Sequence, residues 1–382
     1  MHAPHVDVGL GSKQTTRSPA TKTLDFLWLE LTNRCNLRCV HCYTESHPHS
    51  GDRDVLTAQD YDSLMRQAYD LGCRKLQFIG GEPQLNRDFQ KLLVTANTIG
   101  FDFIEVFSNL TQLDDETICY AASNGICFAT SVYSDEPEAH DAITGVRSSH
   151  ARTIRNLKKL IDKGIETRAA TIVINQDQAN VARTKRFLVE LGVSQVRSAE
   201  TREFGRGEEI LSRPARLEGL CGHCWSGKLC IAPDGAAYPC VMARQWPVGN
   251  VLEMSLAEIV AGRSLEDMRQ AIFDTVWLPK LADAGNGGEV GTHELEMVRK
   301  PSKPQKPHKP QKPPKPCAPF KLNPKHPHKP KTKPGHPAQK PSDDECFPCP
   351  QSCVPDTVPP ECPQSCGPFP ACVPGEKKKK KE

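Results

Sequence analysis

The stretch that decides the fold is CNLRCVHCY, residues 35–43. It places Cys35, Cys39 and Cys42 in a Cys-x3-Cys-x2-Cys spacing directly after an apolar, strand-like run. Three thiols this close in sequence can bind three irons of a [4Fe–4S] cluster and leave the fourth iron without a protein ligand. An open coordination position distinguishes a cluster that acts on a bound molecule from one that only carries electrons. The nonapeptide therefore predicts an iron–sulfur site after the first strand.

Two other interpretations of these thiols are open at this point. A structural zinc site normally has four ligands, and only His41 or His47 lies near enough in sequence to supply the fourth. A disulfide requires an oxidising compartment, and the polar segment 1–23 has no apolar core typical of a secretory signal. Because no apolar run reaches 18 residues, we expect no transmembrane helix and no membrane partner. Because the N-terminal segment does not resemble a secretory signal, we expect a cytoplasmic location.

The second motif is Gly80-Gly81-Glu82-Pro83, which follows the second strand-like run. Taken alone, it is equally well explained as a tight turn between a strand and a helix. Two glycines also let the backbone approach a ligand closely, and the carbonyls and Glu82 can accept hydrogen bonds from an ammonium group. Ligands bind beyond the carboxyl ends of parallel strands, so we expect this motif and the cysteines to face one cavity.

Strand-like runs and helical periodicities alternate regularly between residues 24 and 200. This alternation predicts an α/β fold with a parallel sheet, open or curved into a partial (β/α)6 TIM-like barrel. Thr57 and Asp114 are typical helix N-caps, and several helices are followed by glycine. The predicted strands are 26–31, 76–79, 103–107, 126–132, 168–174 and 193–196. The predicted helices are 57–71, 87–99, 114–123, 148–163 and 180–191, and a further helix is predicted at about 256–269, after the barrel.

Composition divides the rest of the chain. We predict a polar N-terminal segment (1–23), the barrel (24–200), a cysteine-rich extension (201–285), a Lys/Pro-rich linker (286–345) and a Cys/Pro-rich tail ending in polylysine (346–382). The linker and tail are predicted to be disordered, because Lys-Pro repeats cannot form a core. From residue 299 onwards, 18 Lys and Arg stand against 7 Asp and Glu, so this part carries +11 and residues 1–298 about −8. An acidic main body argues against nucleic-acid binding.

A second cysteine group follows the predicted barrel. Cys221-x2-Cys224-x5-Cys230 is followed by Gly235-x4-Cys240, so four thiols fall within twenty residues around a Pro-Asp-Gly turn. Without an export signal, metal ligation is a better explanation of such clustering than disulfides. Zinc stays open as an alternative to iron and sulfide. Further cysteines, from Cys317 to Cys372, have no assigned role.

The two motifs together resemble the radical SAM superfamily, which combines Cys-x3-Cys-x2-Cys with Gly-Gly-Glu-Pro on the next strand. The resemblance covers about residues 24–200. It implies that S-adenosylmethionine binds the open iron and that one electron cleaves it to a 5′-deoxyadenosyl radical. One departure is Thr144, where family members often have Arg; Arg147 is a candidate replacement. The resemblance implies that Cys35, Cys39 and Cys42 ligate the cluster, that Gly80, Gly81 and Glu82 hold the methionyl ammonium, and that Ser108, Asn109 and Ser131 contact the ribose or carboxylate.

The second cysteine group resembles the SPASM extension of radical SAM enzymes, which holds auxiliary [4Fe–4S] clusters. The resemblance implies that Cys221, Cys224, Cys230 and Cys240 contribute to one or two such clusters. The Gly-x4-Cys element usually comes first, whereas here it comes second.

The resemblance implies an oxidoreductase that abstracts a hydrogen from a ribosomally synthesised peptide and so modifies or cross-links it. An electron donor such as flavodoxin or ferredoxin would reduce the cluster. The alternative is a radical SAM enzyme acting on a small molecule such as an aminosugar or a nucleoside. A third interpretation, a non-catalytic metal-binding scaffold, is disfavoured by Gly80-Gly81-Glu82-Pro83, because a scaffold has no need to hold a methionyl ammonium.

Overall fold

A computed structural model describes residues 22–50, 54–174 and 178–285 of the chain. Six parallel strands lie side by side in chain order, β6-β5-β4-β3-β2-β1, as in a β/α barrel. Among the described residues β6 is one edge of the sheet, so the barrel is partial, as the sequence predicted. The strands are β1 (Phe26–Glu30), β2 (Lys75–Ile79), β3 (Phe103–Phe107), β4 (Cys127–Ser131), β5 (Thr167–Val173) and β6 (Gln195–Glu200).

Helices alternate with these strands. Thr57 caps the first helix in a capping box with Asp60, and the Asp114 side chain caps the third, as predicted from the sequence. The helices are α1 (Ala58–Asp70), α2 (Phe89–Ile99), α3 (Asp115–Asn124), α4 (Pro137–Thr144), α5 (Ser149–Asp162) and α6 (Gln178–Leu191).

Helix α4 was not predicted from the sequence. It has only eight residues, so its apolar periodicity is too short to stand out. Its boundary signals are nevertheless present, because Pro137 occupies the first turn and Gly145 ends the helix with a left-handed backbone. This helix matters for the site, since its last turn contacts the cysteine loop.

The cysteine-rich extension continues the same sheet. Strand β7 pairs in parallel with β1, and β8 and β9 follow as antiparallel neighbours, which gives nine strands in the order β6-β5-β4-β3-β2-β1-β7-β8-β9. The boundaries of the five predicted segments stay predictions. The elements are α7 (Arg206–Leu211), β7 (Lys228–Ile231), β8 (Ala236–Tyr238), β9 (Gly249–Asn250), α8 (Leu256–Ala261), α9 (Arg263–Ile272) and α10 (Leu278–Gly285).

A single helix from about residue 256 to 269 was expected, and the structure has two. Gly262 adopts an extended backbone and separates α8 from α9. Glycine loses the most conformational freedom in a helix, which explains the break at this residue. Residues Phe273–Trp277 then form a π-helical turn that leads into α10.

The two faces of the sheet bury different side chains. All five residues of β1 are buried, as expected of a strand covered on both faces. Leu27 and Leu29 join the large core beneath the helices. Phe26 and Trp28 face the interior of the partial barrel, where they belong to a second core that includes three cysteines of the extension. The interior therefore joins the barrel to the second cysteine group.

Candidate functional site

The loop that follows β1 carries the first three cysteines and is fixed by backbone hydrogen bonds. The Cys35 N–H donates to the carbonyl of His47 at 3.1 Å. The Arg38 N–H donates to the Thr144 carbonyl at 2.9 Å, and the Val40 N–H donates to the last turn of α4 in the same way. These bonds use the free carbonyls at the end of α4. The cysteine loop is thus held between the sheet edge and α4.

Each of the three sulfurs has a hydrogen-bonding group of the protein beside it. Such groups stabilise thiolates and tune the reduction potential of a cluster. The three thiols and their neighbours therefore fit a [4Fe–4S] cluster in donor type and in surroundings. The groups are Leu37 N (3.4 Å) and Asn109 Nδ2 (3.7 Å) at Cys35 Sγ, the Tyr133 hydroxyl (4.0 Å) at Cys39 Sγ and the Thr44 hydroxyl (3.2 Å) at Cys42 Sγ.

Burial of the cysteine loop disfavours free thiolates. It raises the pKa of Cys35, and the nearby Glu82 raises it further. Burial likewise raises the pKa of Cys39 to about 12. Thiolates in such a place need the positive charge of a metal. Within the described residues, no three His, Cys, Asp or Glu side chains are arranged to hold a single metal ion. In a [4Fe–4S] cluster each cysteine binds a different iron, so the thiols need not meet at one point.

The Gly80-Gly81 segment interlocks with the start of the cysteine loop. The Gly81 N–H donates to the Thr32 carbonyl and the Glu82 N–H to the Arg34 carbonyl, both at 2.8 Å. A Cβ atom on Gly80 would lie 2.6 Å from the Thr32 oxygen, and one on Gly81 would lie 2.2 Å from the Arg34 oxygen. Only glycine permits this approach. The two sequence motifs therefore meet, as predicted.

Glu82 is fully buried and its carboxylate is held from several sides. The Ser108 hydroxyl donates to Oε1 and the Asn109 N–H donates to Oε2, both at 2.8 Å. Gln84 adds a longer side-chain bond at 3.2 Å. Burial raises the pKa of Glu82, and these donors partly oppose that effect. In this structure Ser108 therefore braces Glu82, and direct ligand contacts of both residues stay predictions.

The remaining predicted ligand residues lie at the same sheet edge. The Asn109 side chain bridges Cys35 Sγ and Asn36 Oδ1, the latter at 2.7 Å. Ser131 ends β4 and hydrogen-bonds with Tyr133, whose hydroxyl reaches Cys39. The structure thus brings together every residue predicted to bind the cluster or S-adenosylmethionine.

Thr144, which stands where family members often have Arg, and Arg147 have different surroundings. Thr144 is fully buried and its hydroxyl shares a 2.6 Å hydrogen bond with Ser149. Arg147, the candidate replacement, is exposed in the loop between α4 and α5 and lines a surface cavity there.

The second cysteine group converges beside β1. Cys230 pairs with Trp28 of β1 and with Tyr238 of β8. Contact with the Cys221 and Cys240 thiols raises the pKa of Cys224. Burial and the neighbouring Cys240 raise that of Cys230. Cys224 therefore contacts Cys221 and Cys240, and Cys240 neighbours Cys230. Four buried or half-buried thiols linked in this way are a donor set suited to iron and sulfide.

Tyr43 lies between the two cysteine groups. Burial raises the pKa of its hydroxyl, and the Cys230, Cys42 and Cys240 thiols raise it further. The hydroxyl donates to Glu30 at 3.3 Å, and Glu30, with no exposed surface, forms an ion pair with Arg244. Tyr43 and Arg244 thus both contact Glu30. Tyr43 directly follows the third cysteine, but no feature of the sequence indicates the contact with Arg244.

Arg206 is a second residue that the sequence analysis missed. Its Nε donates to the Cys39 carbonyl at 2.8 Å, and its terminal nitrogen donates to the Ser46 carbonyl at 3.0 Å. Its backbone N–H also donates to the Cys42 carbonyl at 3.1 Å. The preceding Gly205 is required by close approach, since a Cβ there would lie 2.5 Å from the Tyr43 oxygen. The sequence feature that could have indicated Arg206 is its place between two glycines shortly after β6.

A cleft of about 480 Å³ opens at the end of β6, next to the second cysteine group. On its far side, Lys280 of α10 donates to the carbonyls of Leu220 and Cys221. Side chains of both charges line the cleft: the cations Arg202, Arg213, Arg216 and Lys280 and the carboxylates Glu200, Glu203 and Glu218.

Comparison with known proteins agrees with this arrangement. The family model described as the radical SAM superfamily matches residues 29–188, and the SPASM model, described as an iron–sulfur cluster-binding domain, matches residues 213–278. The chain contains a radical SAM domain followed by a SPASM domain. These domains imply a [4Fe–4S] cluster that binds S-adenosylmethionine, together with auxiliary iron–sulfur clusters.

Two curated relatives have names that state different functions. The antilisterial bacteriocin subtilosin biosynthesis protein AlbA of Bacillus subtilis is 24% identical over 63% of this chain and 60% of its own length. A probable GTP 3′,8-cyclase of Methanothermobacter thermautotrophicus is 29% identical over 39% of this chain and 48% of its own length. The radical SAM chain thus spans only about half to three fifths of these relatives.

Among solved structures, Streptococcus suis SuiB bound to S-adenosylmethionine matches with a TM-score of 0.55 at 17% identity, over 66% of this chain and 69% of SuiB. SuiB has also been solved with its precursor peptide SuiA, and that structure matches with a TM-score of 0.54. These likenesses establish the fold.

The described residues contain no helix that is long and apolar enough to cross a membrane. The predicted Lys/Pro-rich linker and Cys/Pro-rich tail, with Cys317 to Cys372, lie outside the described residues.

Proposed function

We propose that the protein reductively cleaves S-adenosylmethionine and uses the resulting radical to abstract a hydrogen from a ribosomally synthesised peptide. The observation that carries this proposal is the meeting of the cysteine loop with Gly80, Gly81 and Glu82 at one sheet edge. A metal scaffold needs the cysteines alone. It has no use for a glycine segment locked against them or for a buried carboxylate beside them.

In this proposal each group of residues has one role. Cys35, Cys39 and Cys42 ligate the cluster, which supplies the electron for cleavage when it is bound. Gly80, Gly81 and Glu82 form the place for the methionyl ammonium, with Glu82 oriented by its donors. Ser108, Asn109 and Ser131 contact the ribose and carboxylate of S-adenosylmethionine. The residues of the chain position the ligand and exclude water, while the cofactors carry the difficult chemistry.

Cys221, Cys224, Cys230 and Cys240 hold an auxiliary cluster in this proposal. Their convergence beside β1 supports a role close to the substrate, since the interior core connects them to the barrel. Reconstituted protein should then contain well above 4 Fe per chain, and a content of about 4 Fe would remove the auxiliary cluster from the proposal.

A peptide is favoured over a nucleotide by the cleft at the end of β6. A triphosphate needs a concentration of cations, because its charge must be neutralised on every side. Here four cations are interspersed with three carboxylates. A mixed lining of this kind suits a polypeptide, whose backbone and side chains present donors, acceptors and both charges.

The test is co-expression with a short peptide encoded beside the gene, followed by mass spectrometry of that peptide. Loss of two hydrogens per cross-link or oxidised residue is the expected result. Cys39→Ala serves as the inactive control. An unmodified peptide, with a small molecule consumed instead, would contradict the peptide assignment.

The second candidate is a radical SAM enzyme that acts on a nucleoside or another small molecule. Its support is the relative named as a probable GTP 3′,8-cyclase. Incubation of reduced protein with S-adenosylmethionine and GTP distinguishes the two, since consumption of GTP would favour this candidate.

A further inference from the structure

Helix α5 and the loop before it form a strongly basic surface on an acidic protein body. Residues 147–163 contain six Lys or Arg and a single acidic residue, Asp162, whereas residues 1–298 carry about −8. Arg147, Arg155 and Lys158 are exposed and Arg152 is half-buried, while the opposite side of α5 packs into the core. The cations therefore point away from the protein.

These cations lack the ion-pair partners that some other helix cations of the described residues have. Within the described residues, Arg147, Arg152, Arg155 and Lys158 make no side-chain hydrogen bond or ion pair. By contrast, Arg66 pairs with Asp62 on α1, and Arg183 pairs with Glu136 at 3.0 Å. Four unpaired cations along one face repel one another, and a partner of opposite charge relieves that repulsion.

The basic surface is continuous with the exposed part of the cysteine loop. Arg38 is exposed and immediately precedes Cys39, and its backbone packs against Gly145, two residues before Arg147. Val40 follows Cys39 and leaves 40% of its surface exposed, so it can add an apolar contact beside the charge of Arg38. We call Arg38, Val40, Arg147, Arg152, Arg155 and Lys158 the α5 face.

We propose that the α5 face is the docking site of a small acidic one-electron carrier protein that reduces the cluster. The inference rests on the proposed function, which needs such a reductant. The charges of the face select an acidic partner, and Val40 gives the contact an apolar centre. Electron tunnelling falls steeply with distance, and a protein docked over Arg38 and Val40 lies directly outside Cys39.

The redox step balances with a carrier of the flavodoxin class. The anionic flavin hydroquinone of the carrier loses one electron and becomes the neutral semiquinone. A [4Fe–4S] cluster held by Cys35, Cys39 and Cys42 would accept that electron and change from the 2+ to the 1+ state. No other reactant is required.

The α5 face stays basic although acidic groups border it. Asp115 is neutralised by Lys159 at 2.7 Å. Asp141 accepts hydrogen bonds from Ser149 and His150 at the start of α5. Glu138 and Asp162 lie at its margins, each lining a cavity with the cations. Asp141, Glu138 and Asp162 together carry three negative charges, fewer than the five cations of the face.

A chain of aromatic rings runs from the cysteine loop towards the same surface. Tyr133, whose hydroxyl reaches Cys39, contacts His140 with ring centres 5.4 Å apart, and His140 contacts His150 at 5.3 Å. His150 lines a cavity of about 400 Å³ with Arg155 and Lys158. The cations of the face thus surround the outer end of a packed path to Cys39.

The test uses the reconstituted full-length chain and flavodoxin. In the variant Arg155→Glu/Lys158→Glu, the Kd for oxidised flavodoxin should rise at least ~10-fold at low ionic strength, and the difference should shrink at high salt. The rate of cluster reduction by flavodoxin hydroquinone should fall in parallel. The matched control is Lys91→Glu/Arg186→Glu, which makes the same charge change at exposed, unpaired cations on α2 and α6.

Dithionite, a small reductant that needs no docking, separates this inference from the proposed function. Both double variants should release 5′-deoxyadenosine with dithionite at the rate of the unmodified protein. An unchanged flavodoxin Kd, or an equal loss in the control variant, would overturn the docking site. So would weaker binding to anionic lipid vesicles with flavodoxin binding unaltered. Failure of the unmodified protein to cleave S-adenosylmethionine with dithionite would instead refute the proposed function.

Discussion

Arg206 is expected to determine how firmly the cysteine loop retains its cluster. It is the first residue of α7, far from the cysteines in sequence, and its side chain donates to the carbonyls of Cys39 and Ser46. We predict that Arg206→Ala releases this loop without unfolding the barrel, because the substitution removes no apolar side chain from the core.

The magnitude follows from the two hydrogen bonds lost. A hydrogen bond to a charged group contributes about 1.5–3 kcal/mol, and two such bonds, partly replaced by water at this half-buried residue, contribute about 3 kcal/mol. This difference corresponds to a ~100-fold increase in the open population of the loop. Arg206→Lys keeps the charge and one donor, so we expect about half the free-energy cost and a ~10-fold increase.

The assay is anaerobic release of iron from reconstituted protein to a chelator, followed by absorbance. Arg206→Ala should lose iron from one cluster ~100-fold faster than the unmodified protein, with Arg206→Lys between them. Arg213→Ala is the control, since Arg213 lies nearby in sequence and its half-exposed side chain forms an ion pair with Glu203 at 3.6 Å. Iron release from Arg206→Ala at the rate of Arg213→Ala would refute the reasoning.

Three further predictions concern residues around the site. Gly81→Ala would place a Cβ 2.2 Å from the Arg34 oxygen and should abolish S-adenosylmethionine binding in a titration. Gly125→Ala, whose Cβ would have nothing within 4 Å, should retain binding. Equal affinities of the two variants for S-adenosylmethionine would contradict this prediction. Glu30→Gln leaves the buried Arg244 guanidinium without its charge partner and should lower the free energy of unfolding by about 3–5 kcal/mol, against less than about 1 kcal/mol for Lys159→Met at an exposed pair. Burial lowers the pKa of His140 to about 4, so the unfolded chain binds the proton first as pH falls. The free energy of unfolding should therefore drop by about 2 kcal/mol more between about pH 7 and pH 5 than in His140→Gln, and parallel profiles would count against this.

The sequence predicted the parts of the molecule that depend on local pattern. The six parallel strands follow from apolar runs separated by capped helices. The meeting of the cysteines with Gly80-Gly81-Glu82 follows because consecutive parallel strands end at one edge of a sheet. Helix α4 escaped prediction, since eight residues carry too little periodicity.

What escaped prediction depends on contacts between residues distant in the chain. Arg206 reaches Cys39 across 167 positions, and Arg244 reaches Glu30 across 214. No local pattern encodes such pairs. The pairing of β7 with β1, which brings Cys230 beside Trp28, is of the same kind. The bracing of Glu82 by Ser108 was also missed, because motif resemblance assigns residues to ligands and not to one another.

The central claim is that the cysteine loop holds a cluster that cleaves S-adenosylmethionine, and cleavage itself tests it most directly. Reconstituted protein, reduced with dithionite and given S-adenosylmethionine, should release 5′-deoxyadenosine and methionine, measured by liquid chromatography and mass spectrometry. Cys39→Ala should abolish the release, and Cys230→Ala, in the second cysteine group, should retain it. The account would be contradicted if protein with the electron paramagnetic resonance signal of a reduced [4Fe–4S] cluster released no 5′-deoxyadenosine, or if Cys39→Ala released as much as the unmodified chain.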